Sequence, residues 1–194
     1  MNKKEELEHH IKAILSLIGD TPEREGLKGT PDRIARMFSE IYRGYDSGQR
    51  PKITTFKNGK DGIIYDNMII DEGDFYSMCE HHAMPFFGKY WFAYIPNPQG
   101  RILGISKIGR VVDYCAAKLQ IQERLVMEIV ETLSKSLGNE YPPLGLALVM
   151  EGEHLCKSMR GAKKKGKMRS YYFVGDFKTN KELQANFLNQ IKND

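Results

Sequence analysis

Leu144-Gly145-Leu146-Ala147-Leu148-Val149-Met150-Glu151-Gly152-Glu153-His154-Leu155-Cys156 is the stretch that decides how this chain folds. Leu146, Leu148 and Met150 alternate with Ala147, Val149 and Glu151, a period of two that sends successive side chains to opposite faces of a strand. Continuing that period puts His154 and Cys156 on the face of the apolar even positions, the covered side of a sheet. Upstream, Ser77-Met78-Cys79-Glu80-His81-His82 carries a matching set of side chains. Outside the pair His9-His10, all the histidines lie in these two stretches, together with two of the three cysteines.

Thiolate and imidazole are the side chains that hold zinc, and a catalytic zinc site keeps three protein ligands and leaves the fourth position to water. Cys79, His82 and Cys156 make three. Cys79 and His82 are three apart, so a single turn of loop or helix can point both inward, and His81 then points elsewhere. That leaves His81 and His154 beside a metal without being needed as ligands, where a hydrolytic site needs proton-transfer groups. Water on zinc ionises near neutral pH and imidazole titrates in the same range. A lone cysteine or histidine would read as a buried small hydrophobe or a satisfied loop residue. Two clusters of this make-up point to Zn2+ and to hydrolysis.

With 194 residues the chain is long enough for one sizeable core, with or without a helical appendage. No apolar run reaches membrane-spanning length, and MNKKEELEHH lacks the apolar centre of a signal peptide. A cytoplasmic location is expected, with no membrane partner. Three cysteines make no disulfide framework. Cys115 follows Ile108, Val111 and Val112 at helical spacing and reads as core. The net charge of +4 and pI near 8.8 are mildly basic, so any anion site must come from a local cluster.

In chain order, residues 2–19 read as an amphipathic helix with Leu7, Ile11, Ile14, Leu15 and Ile18 on one stripe. Thr30 as N-cap and Pro31 at the first helical position open a second helix, with Ile34, Met37, Phe38 and Ile41 as its buried stripe. Arg33 and Arg36 read as surface. This helical region, residues 1–48, precedes the main domain, residues 49–194. A loop over 44–62 contains a short strand near 53–56. Strands follow over 63–66, 68–75 and 86–95, then helices over 105–118 and 120–137, strands over 144–153 and 170–177, and a helix over 181–191. The class is α+β: a mostly antiparallel sheet with helices packed on one face, preceded by a helical hairpin.

Three polar features carry open alternatives. Gln122 projects into the apolar arc formed by Ile121, Leu125, Val126, Ile129, Leu133 and Leu137, with Glu123 at its margin. Its partner is either backbone or a ligand. Arg160-Gly161 leads into Lys163, Lys164, Lys165, Lys167 and Arg169, which form either a solvated loop or a phosphate site. Ser106, Lys107 and Arg110 at a helix start make a ready anion site, though exposed cations on a helix need no such purpose.

At this point the chain resembles a known family. Ser77 to His82, Pro85-Phe86 with Gly88, Ala93-Tyr94-Ile95-Pro96, Gly104-Ile105-Ser106-Lys107, Arg110-Val111-Val112-Asp113, Gln120 to Leu125, and His154-Leu155-Cys156 with Met159-Arg160-Gly161 are similar to GTP cyclohydrolase I, over about 19–161. The resemblance implies a tunnelling fold in a toroidal homodecamer with active sites at subunit boundaries. It implies conversion of GTP and water to 7,8-dihydroneopterin triphosphate and formate. Cys79, His82 and Cys156 would hold zinc, and His81 and His154 would shuttle protons. Gln122 and Glu123 would anchor guanine, helped by backbone near Ile105. Ser106, Lys107, Arg110 and Arg160 would hold ribose and triphosphate, with Arg33 reaching in from a neighbouring subunit. Past Gly161, relatives usually show a Ser/Thr-rich passage where this chain has its lysines, and Ala117-Lys118 stands where two arginines are common.

A zinc nucleoside deaminase would carry His-x-Glu and Pro-Cys-x-x-Cys, and neither occurs. Nucleic acid is not expected as a partner. A binding protein with structural zinc would show salt-sensitive RNA or DNA binding without turnover.

Overall fold

The alternation in residues 144–153 is realised as a strand, β6 (Gly145–His154), whose even positions Leu146, Leu148 and Met150 are all buried. The computed structural model describes residues 2–192. Before β6 come α1 (Lys3–Leu17), α2 (Thr30–Ile41), β1 (Thr55–Lys57), β2 (Ile69–Cys79), β3 (Pro85–Ile95), β4 (Arg101–Leu103), α3 (Ser106–Ala116), β5 (Leu119–Gln120) and α4 (Gln122–Leu137). After it come α5 (Leu155–Ser158), β7 (Lys167–Gly175), α6 (Asp176–Thr179) and α7 (Lys181–Gln190). The class is α+β. Five strands form a sheet in the order β5-β2-β3-β6-β7, antiparallel except for the short β2-β5 pair, while β1 and β4 make a separate ribbon.

The main core lies between this sheet and the helices α3 and α4. Phe75 of β2, Phe86, Phe92 and Tyr94 of β3, and Leu146, Leu148 and Met150 of β6 meet Ile108, Val111, Val112 and Cys115 of α3 and Leu125, Ile129 and Leu133 of α4. The expectation of helices on one face holds for these two alone. On the opposite face Trp91, Ala93, Ala147 and Val149 pack against Phe177 of α6, Phe187 of α7 and Ile191. The reason is visible in β3: Tyr90 to Tyr94 is apolar without interruption and fully buried, so both of its faces need cover.

Other expectations shift locally. Residues 63–66 form no strand, because buried Asn58 stands in for a neighbouring strand: its side-chain oxygen accepts from the Tyr65 N–H at 2.9 Å, and its amide donates to the Tyr65 carbonyl at 2.7 Å. Residue 120, expected to open the helix over 120–137, instead joins 119 in pairing with β2, and the helix begins at Gln122. The last strand begins at Lys167 and not at 170, where Lys167 and Arg169 both pair with Glu151 across the ladder. The second helix has Gly29 as its cap and Thr30 as its first residue; Ala35 is its buried residue, while Met37 is exposed. Helix α1 is capped by Asn2, which accepts from the backbone N–H of Lys4 and Glu5. Of its apolar stripe only Ile11 is buried, and Ile14 and Ile18 are exposed. A 2.6 Å ion pair joins Lys4 to Asp32 of α2. Among the described residues no helix is long and apolar enough to cross a membrane.

Candidate metal centre

Strand β2 runs four residues further than expected and delivers Cys79 to its end. The chain then reverses within residues 79–84. Ala83 donates its N–H to the Cys79 carbonyl, Cys79 donates to the Met84 carbonyl, both at 2.8 Å, and Ala83 takes the left-handed backbone (φ +50°) that this tight turn requires. The turn gathers the side chains it carries: the Cys79 sulfur lies 3.7 Å from Nδ1 of His81 and 3.9 Å from Nδ1 of His82.

The second half arrives through β6, which pairs with β3 and ends at His154 opposite Phe86. His154 lies on the helix-covered face, as the alternation requires. Cys156 reaches the centre differently: the strand has ended, and the cysteine sits in the helical turn α5. The ligand atoms of Cys79, His82 and Cys156 all lie within 4.8 Å of one another, a sulfur–nitrogen–sulfur set that could hold a metal ion. Cys79 is buried, Cys156 half-buried and His82 exposed, so the cluster opens on one side. Burial and then the nearby Cys79 thiol push the Cys156 thiol up. Two sulfurs this close resist ionising together, a conflict that a divalent cation relieves.

His154 is fixed on two sides. Its ring stacks on Phe86 with centroids 4.5 Å apart and planes 6° from parallel, and Nε2 lies 2.9 Å from the Gln122 side-chain oxygen. Burial holds its pKa below the usual histidine value, and the Glu123 carboxylate pulls the other way. His81 is exposed beside Cys79.

Gln122, left open between backbone and ligand, is fully buried and bonded inside the protein, to two backbone carbonyls, Ser170 and His154. Glu123 is exposed in the first turn of α4 and is near enough to act on His154. Ser106 and Arg110 are exposed at the start of α3, where no side chain caps the helix, and Ile105 ahead of them is also exposed; Lys107 is half-buried. Arg160 is exposed and acts electrostatically on Cys156. The Arg33 guanidinium lies beside Gly29 on α2 and forms no hydrogen bond or ion pair among the described residues. In the basic run, Lys167 and Arg169 are taken up by Glu151, while Lys163, Lys164 and Lys165 stay exposed. Cys115 is core, and burial pushes its thiol up to about 12.

Two contributors escaped the sequence reading. Phe86 is the platform under His154. Glu80, between Cys79 and His81, is held by Arg124 at 2.6 Å, and Arg124 also donates to Gln120 at 2.8 Å. A carboxylate inside a metal motif that is not itself a ligand needs a counter-ion, and that signal was available in the sequence.

The profile of the GTP cyclohydrolase I family matches residues 7–192, beyond both ends of the stretch that carries the motifs. GTP cyclohydrolase 1 of Thermoanaerobacter pseudethanolicus is 41% identical over 192 residues, covering 98% of each chain. That of Caldanaerobacter subterraneus is 41% identical over 186 residues, covering 95% of each. A GTP cyclohydrolase 1 of Saccharolobus islandicus is 40% identical over 193 residues, 97% of this chain and 91% of that one. With a match spanning both halves of the candidate metal centre and nearly every element of the fold, this chain belongs to the GTP cyclohydrolase I family of enzymes.

Proposed function

We propose that the chain hydrolyses GTP with water to 7,8-dihydroneopterin triphosphate and formate, with Zn2+ held by Cys79, His82 and Cys156. The observation that carries this reading is the convergence of two thiols and an imidazole within 4.8 Å, beside a second imidazole locked in place. A zinc ion bound by that set supplies the Lewis acidity that makes water nucleophilic near neutral pH.

The remaining work falls to the chain's own residues. His154, whose burial disfavours the charged form, and exposed His81 hold and move protons as the imidazole ring of guanine opens at C8 and that carbon leaves as formate. Glu123 accepts from the donor edge of guanine, with backbone near Ile105 alongside. Ser106, Lys107, Arg110 and Arg160 take the ribose and triphosphate, a role supported by the exposure of Ser106, Arg110 and Arg160 and by the uncapped start of α3. Arg33 serves a neighbouring subunit's site.

The same reading includes the tunnelling fold behind a helical hairpin and a toroidal homodecamer. It is supported by sheet edges left without partners among the described residues: there β5 covers only Met78 and Cys79 of β2, and β7 ends the sheet on the other side. Exposed Leu17 and Ile18 on the first helical segment fit the same assembly.

Zinc-loaded protein incubated with GTP, assayed for formate and for the fluorescent pterin formed after mild oxidation, tests the reading. Both products are expected. Formate without pterin would mean ring opening that stops short, and neither product would sink the proposal.

A further inference from the structure

Gln122 opens α4 with 1% of its surface exposed, so each of its polar atoms needs a partner inside the protein. Its amide nitrogen lies 2.9 Å from the Met150 carbonyl, 3.1 Å from the Met168 carbonyl and 2.9 Å from the Ser170 hydroxyl. Backbone carbonyls only accept, so the end of the amide that faces them must be the NH2 group. The amide oxygen is thereby turned to Nε2 of His154, at 2.9 Å.

That orientation decides where the histidine proton sits. An amide oxygen has no hydrogen to give, so the bond exists only if Nε2 carries one, and the lone pair of the neutral ring is then on Nδ1. Two neighbours hold the arrangement. Phe86 stacks in parallel on the ring and fixes its plane. Gly152 leaves the space, because a Cβ there would stand 2.7 Å from the Gln122 oxygen.

We infer that Gln122 is a positioning residue that holds His154 in its Nε2–H tautomer and leaves Nδ1 as the ring's working nitrogen. The tautomer stands on the hydrogen bonds alone, while its use in turnover rests on the reaction proposed above. Gln122 acts through the histidine and spends no atom on guanine, whose edge is left to Glu123.

Solid-state 15N spectra of zinc-loaded protein labelled at histidine, with His154→Asn to assign the signal, read the tautomer directly. Protonated Nε2 and bare Nδ1 are expected near pH 8, and the opposite pattern overturns the inference. In Gln122→Met, kcat should fall about tenfold or more, with KM for GTP within about twofold and zinc content unchanged. A raised KM at parental kcat would make Gln122 a substrate contact and overturn the inference. If Gln122→Met fails to fold, Gly152→Ala, which presses on the same oxygen, is read in the same way. A wild-type protein that shows the expected tautomer but no GTP turnover would defeat the proposed reaction and leave the tautomer assignment in place.

Discussion

The two faces of the central five-stranded sheet share their strands but not the same cover. On one, α3 and α4 close over Phe75, Phe86, Phe92, Leu148 and Met150, and the ends of β2 and β6 lead into Cys79 and Cys156, whose sulfurs lie within 4.8 Å of each other and of a His82 ring nitrogen. On the other, α6 and α7 cover Trp91, Ala93, Ala147 and Val149, and beyond them a row of Asp74, Lys89, Glu151 and Arg169 runs in register across the strands, with only Glu151 withdrawn from solvent. Charges exposed in water interact weakly, whereas polar groups withdrawn from it must be paired and act strongly on one another. The face under α3 and α4 therefore carries the proposed chemistry, while most of the charged row on the other face stays in water.

Substitutions should separate the faces in a definite order. Cys156→Ala removes a proposed ligand and should drop both zinc content and turnover, the latter to below about one-thousandth of the parent's, read by metal analysis and formate release. Near-normal zinc would count against its assignment. Leu133→Ala, in the core under α4, should cost about 2–5 kcal/mol in denaturant unfolding, since Leu133 is fully buried. Arg124→Met frees Glu80 next to the metal loop and should weaken zinc retention against a chelator by about tenfold while the fold persists.

Glu151→Gln, on the charged row, should change stability by less than about 1 kcal/mol near neutral pH. Lys167 and, against the effect of burial, Arg169 hold the Glu151 carboxyl below its usual range. A depressed folded pKa gives stability that is present above the unfolded value, about 4.3, and lost as pH falls through the folded one. The gap between parent and variant should therefore close in acid. A gap that widened there would contradict the pairing.

Much of the covered face was legible because periodicity reports burial. The even positions of β6 pointed His154 inward, and the helical spacing of Leu125, Ile129 and Leu133 marked the stripe of α4. Cys156 was placed on the right side for the wrong reason, since a period of two cannot foresee that the strand stops at His154 and turns helical. The missing strand at 63–66 was illegible because one side chain, Asn58, replaces its ladder. The unbroken apolar run of β3 did announce a second covered face and went unread. Gln122 shows the limit most clearly: spacing located a buried amide, and only the three-dimensional neighbours Met150, Met168, Ser170 and His154 say which end faces which partner.

The most direct measurement is zinc stoichiometry and formate release from GTP on matched preparations of the parent and His154→Ala. Holding the metal and moving the proton are assigned to different side chains, so the variant should keep its zinc and lose turnover. A variant that loses its metal, or that releases formate at the parental rate, would contradict that division.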